Sequence, residues 1–108
     1  MYIPESEIEE LWRLVAITRN GIPSNFWGKD FAGAWIRKDQ LGKRTQYGWD
    51  IDHVKPRIMG GTDDIDNLQA IHWRNNIMKG DHYPDFTSCV TSSGEQNIIK
   101  EQRWHVAQ

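Results

Sequence analysis

An imidazole beside a carboxylate, with two carboxamides and an ammonium further along, is equipment for activating water next to a bound cation. Asp52-His53, Asn67, Asn76 and Lys79 make up that set. The unperturbed pKa of histidine lies near neutrality, so His53 suits removal of a proton from water. The Asp52 carboxylate and the Asn76 amide oxygen are hard donors, matched to Mg²⁺ or Mn²⁺, with water and phosphate completing the coordination. One such cation can bind a phosphoryl oxygen and a leaving oxygen together. Lys79 stands three residues after Asn76 and shares its face in a helix, where its ammonium could meet the same phosphate.

The elements around these residues have to place them. Gly48–Val54 and Leu68–His72 read as strands joined by a long loop, and Trp73–Lys79 reads as a short helix stopped by Gly80. In a regular strand Asp52 and His53 point to opposite faces, so the strand must end, bulge or twist at that pair. Pro56 fits an exit there, because proline lacks a ladder N–H and restricts the residue before it. Asn67 can form a turn before its strand and orient the site at once. Asp50 alternates with Asp52 and reads as a supporting carboxylate or a partner of the basic loop, not as a ligand. His72 reads as a packed or hydrogen-bonded histidine rather than a ligand. Gly60-Gly61 reads as a turn, since the strand–loop–helix setting of a phosphate cradle is missing. His82 and His105 carry no spacing signal, and Cys89 reads as an inert thiol.

The ordered stretch WDIDHVKPRIMGGTDDIDNLQAIHWRNNIMKGD, Trp49 to Asp81, covers about a third of the chain. It resembles the HNH endonucleases, whose ββα-metal finger cuts nucleic-acid phosphodiesters with one divalent cation. Lys29-Asp30, Gly33-Ala34-Trp35-Ile36 and Tyr47-Gly48-Trp49 resemble members of the same family. The resemblance implies that Asp52 ligates the metal, His53 is the general base, Asn67 orients loop and base, and Asn76 is the second ligand. Mg²⁺ or Mn²⁺ comes first, with other divalent transition ions next. Many members carry cysteine pairs on a structural zinc; here His72 and Asn75 stand where the second pair would be, so no zinc knuckle is expected. Packing must then hold the core, through Trp49, Ile51, Leu68, Ile71, Trp73 and Ile77.

Composition bounds the rest. A chain of 108 residues suffices for one domain and is too short for two. Its mean hydropathy of -0.72 and short apolar runs leave no membrane span, while six tryptophans supply much of a modest core. One cysteine excludes an internal disulfide. No basic-then-apolar leader opens the sequence, so a reducing, cytoplasmic setting is expected. A net charge of -2 does not by itself advertise a polyanionic partner. Glu5, Glu7, Glu9 and Glu10 crowd one end, however, and Lys29 to Arg57 holds seven bases against four acids.

Ser6 and Glu9 read as a capping box, followed by an apolar helical face at Ile8, Leu11, Trp12 and Val15 and a stop at Asn20-Gly21. Residues 22–46 read as loop-rich with one short strand at Ala34–Arg37. Thr87–Ser93 reads as a strand, and Ile98–Trp104 is open between helix and strand. The expected fold is α+β: a single domain over residues 1–108, built on a ββα-metal core at about Tyr47–Asp81. The expected function is metal-dependent DNA cleavage, nicking or double-stranded, with RNA as the other candidate substrate. Lys55, Arg57, Arg74 and Lys79 are the expected phosphate contacts. Two other classes remain open: a nucleic-acid-binding module without catalysis, and a toxin or effector nuclease neutralised by an immunity protein.

Overall fold

The computed structural model describes residues 1–107 as a mixed α+β domain of two helices and three small antiparallel sheets. Helix α1 (Glu5–Val15) leads into β1 (Ala16–Arg19), β2 (Ile22–Lys29) and β3 (Trp35–Arg37), which form the first sheet in that order. The central unit is β4 (Trp49–His53), β5 (Leu68–His72) and α2 (Trp73–Lys79). A closing hairpin, β6 (Asp85–Ser93) and β7 (Gln96–His105), packs on α2 through β6.

The N-terminal region departs from the sequence reading in three places. Pro4 occupies the N-cap of α1 with no side-chain cap; its carbonyl takes Glu7 N–H and Ile8 N–H at 3.0 and 3.1 Å. Glu9 binds Lys38 Nζ at 2.8 Å instead of closing a capping box. The helix ends at Val15 because Ala16–Arg19 pairs with β2. Asn20-Gly21 is therefore the hairpin turn, with φ of 51° and 75°, and two consecutive positive φ values suit a two-residue hairpin loop. The stretch read as loop-rich holds β2 and β3, and β7 resolves the ambiguous C-terminal segment as a strand.

The core is built on Trp12, Ile36, Trp49 and Ala70, with Ile8, Val15, Ala16, Leu41 and Ile51 packed against it. Trp12 and Trp49 lie 5.6 Å apart between ring centroids, joining α1 to the central unit. Leu68 and Ile71 are buried as expected, and Trp73 is half-buried. Ile77 corrects the expected core: it is 64% exposed. Helix α2 turns Asn75 and Lys79 inward instead, a polar face that works because every inward group finds a partner.

Candidate active site

Register along β4 and β5 is unbroken, from Trp49↔His72 to His53↔Leu68. No bulge re-aims the Asp-His pair; the strand ends on His53. Both residues line one small cleft off that end, about 210 Å³, with Pro56, Arg57, Ile58, Gly80 and Asp81. The strand's end therefore resolves the opposite-face problem.

Each group in the cleft has a defined support. Asp52 Oδ2 accepts from Gln69 Nε2 at 3.0 Å and pairs with Lys79 Nζ at 3.1 Å. Burial pushes its carboxyl up from the ordinary carboxylate range, while Gln69 and Lys79 pull it back down. Among the described residues Oδ1 accepts no hydrogen bond. His53 Nε2 lies 2.7 Å from Asp63 Oδ1, and the His53 carbonyl accepts from Lys79 Nζ at 3.0 Å.

Asn67 holds the loop that follows His53. Its Oδ1 accepts from Lys55 N–H at 2.9 Å, and its Nδ2 donates to the Lys55 and Thr62 carbonyls at 3.1 and 2.8 Å. It reaches His53 only through that loop. Gly61 is required at the crossing, because a Cβ there would lie 1.7 Å from the Lys55 carbonyl oxygen.

Asn76 faces β4 one helical turn before Lys79. Its Nδ2 donates to Asp50 Oδ2 at 3.1 Å, and Asp50 also pairs with Arg44 at 3.1 Å. The two strand carboxylates thus meet two helix side chains, Asp50 with Asn76 and Asp52 with Lys79. Asp52 and Asn76 share no hydrogen bond.

Lys79 is fully buried and spends its ammonium on Asp52 and the His53 carbonyl. This corrects its expected place as a phosphate contact, since a side chain with no exposed surface presents nothing to an incoming polyanion. Lys55, Arg57 and Arg74 are exposed. Arg74 and Arg44 lie 5.0 and 5.4 Å from the Trp73 ring centroid.

Where a second zinc-binding pair would stand, His72 and Asn75 make a hydrogen-bonded hub. Asp30 Oδ2 accepts from His72 N–H and Asn75 Nδ2, each at 3.0 Å, and its Oδ1 accepts from Ala32 and Ala34 N–H. Burial pushes the Asp30 carboxyl up, against the pull of these four donors. Asn75 Oδ1 takes the N–H groups of Cys89 and Val90 at 2.9 and 2.8 Å, where a register shift in β6 interrupts its ladder with β7. The sequence reading gave no role to Asp30, which it quoted only for its resemblance, or to Asp63 and Gln69. Asp30 had a local signal, an aspartate before a tight Gly-containing turn; the other two are set by long-range pairing.

By donor type Asp52 and Asn76 suit a hard divalent cation, but Asn76 does not line the cleft that holds Asp52 and His53. Asp52 Oδ1 and Asn76 Oδ1 are unengaged oxygens on the two elements that face each other, and one is anionic. Among the described residues no group of three or more His, Cys, Asp or Glu is placed to hold a metal.

β4, β5 and α2 thus form a ββα unit with an Asp-His pair at the end of its first strand. The family model of the HNH endonucleases matches residues 38–82, the segment that holds β4, β5 and α2. No curated protein and no solved structure matches the chain. Among the described residues no helix is long and apolar enough to cross a membrane.

Proposed function

We propose that the protein is a metal-dependent endonuclease hydrolysing DNA phosphodiesters. The observation that carries this reading is the common cleft of Asp52 and His53 at the end of β4, rimmed by Arg57. His53 takes a proton from water, whose oxygen attacks phosphorus as the bond to the 3′ oxygen breaks; the departing oxygen is protonated by solvent. Asp52 and Asn76 would hold the cation, Mg²⁺ or Mn²⁺ by donor type, which supplies charge neutralisation at the phosphoryl and leaving oxygens. Asn67 orients the base through the loop it ties. Lys55, Arg57 and Arg74 hold the backbone, gripping phosphates without reading bases. A single thiol, Cys89, suits a cytoplasmic setting.

Supercoiled plasmid incubated with the protein tests this directly, with a structured RNA as the competing substrate. Nicked or linear product is expected with Mg²⁺ or Mn²⁺ and none with chelator. His53→Ala should lower the rate by about 10² to 10⁴ while DNA binding persists. A wild-type protein inert on DNA at saturating metal, or His53→Ala cutting at the wild-type rate, overturns the reading.

A further inference from the structure

Asp63 is half-exposed and sits on the loop between the two strands of the finger, ten residues from His53. Its Oδ1 lies 2.7 Å from His53 Nε2, and Arg57 Nε approaches the same oxygen at 3.8 Å. A carboxylate only accepts hydrogen bonds, so Nε2 carries the hydrogen in this pair. In the neutral ring that leaves Nδ1 with its lone pair, and Nδ1 has no hydrogen-bond partner among the described residues.

The loop delivers Asp63 to this point by construction. Asn67 ties its flanks at Lys55 and Thr62, Gly61 N–H bonds the Pro56 carbonyl at 3.0 Å, and the Thr62 hydroxyl engages Asp64 on both main chain and side chain.

We propose that Asp63 is a positioning residue for His53, fixing the ring in the Nε2–H tautomer so that Nδ1 is the atom that accepts the proton of the attacking water. The inference rests on the reading of His53 as general base and adds the atom and the residue that orients it. A bound hydrogen on one nitrogen sets the role of the other. The contribution of Asn67 then becomes concrete, since it braces the segment that carries the orienting carboxylate. The Asp63 carboxyl is held below the ordinary carboxylate range, first by this hydrogen bond. The bland alternative is a surface pair with protonated His53, which would contribute little and select no tautomer.

Nitrogen-15 spectra of the metal-free protein, at about two pH units above the ordinary histidine value, read the His53 tautomer without reference to activity. Steady-state cleavage by the Mg²⁺-loaded protein reads function. The Nε2–H form is expected to dominate in the wild type and to give way to a mixture in Asp63→Ala. Asp63→Ala should also cut kcat by about 10- to 100-fold, the scale on which outer partners of site histidines act, with KM and melting temperature unchanged. Asp63→Glu, which restores an acceptor, should recover part of the rate. An unchanged tautomer in Asp63→Ala overturns the proposal, and so does an unchanged kcat or an effect confined to KM. A wild type that fails to cleave overturns the functional reading instead, and the tautomer measurement still decides whether Asp63 orients the ring.

Discussion

Lysine is almost never fully buried unless it is paired, and Lys79 is paired twice, with Asp52 at 3.1 Å and the His53 carbonyl at 3.0 Å. The ammonium rivets the last turn of α2 to the end of β4, at the residue that would ligate the metal. It also keeps one oxygen of Asp52 occupied while the other stays open. Removing one partner of a buried pair typically costs about 3–5 kcal/mol, because the remaining charge is stranded. Lys79→Met should therefore lower the unfolding free energy by about that amount, and adding Asp52→Asn should restore part of it. Urea unfolding of the two single variants and the double variant measures the coupling. Equal stability of Lys79→Met and wild type would remove the pair from any structural role. Sequence spacing placed Lys79 on the correct face of the helix but could not reveal that this face turns inward.

At the scale of elements, the finger was legible and the segments around it less so. Alternation and flanking breakers marked β4 and β5 well, and Trp73–Lys79 emerged as α2 with its predicted bounds. Asn20-Gly21 was read as a helix stop and is a hairpin turn for a physical reason: glycine with positive φ serves both. Pairing of Thr18 and Arg19 with Pro23 and Ile22, across the turn itself, decided it. Ile98-Ile99 fits neither a helical nor an alternating period, and β6 decided that too. Helix α2, at seven residues, is too short to persist alone, so its supports matter. His72 is its N-cap: Nδ1 accepts from Arg74 N–H at 3.1 Å, and Nε2 bonds the Gln46 carbonyl at 2.9 Å. Burial pushes the His72 pKa below its ordinary 6.5, and protonating Nδ1 would also break the cap. The unfolded chain thus binds the proton more readily than the folded one. Its stabilising contribution is present above about pH 6.5 and is lost as pH falls through the folded value, with a slope of up to about 1.4 kcal/mol per pH unit. His72→Asn keeps a capping oxygen without titrating there, so its stability should fall less steeply between about pH 7 and pH 5. Parallel profiles for the two proteins would show that His72 does not carry this linkage.

Taken whole, the molecule is an acidic protein, and its charge arrangement limits how it can hold a polyanion. The glutamates of α1 are remote in sequence from the finger, and one of them, Glu9, is neutralised locally by Lys38. Arg57 lines the cleft and Lys55 and Arg74 are exposed elsewhere on the same unit, whereas Lys79 is withdrawn into the core. The longest dimension, 37 Å, is close to one turn of duplex, about 34–36 Å, so few phosphates can be engaged at once. Each phosphate neutralised contributes about -0.9 to the slope of log affinity against log salt. Three contacts therefore give a slope of roughly -3, at the shallow end of what four lysines and arginines would have produced. Binding of a non-cleavable duplex, measured by fluorescence anisotropy with Ca²⁺ in place of Mg²⁺ across a salt series, checks the number. Lys55→Ala, Arg57→Ala and Arg74→Ala should each make the slope shallower by about one unit and weaken binding evenly across sequences. A slope near zero, or one that none of the three substitutions moves, would mean that the duplex docks on some other face, and Arg57 at the Asp52–His53 cleft would lose its role in holding DNA.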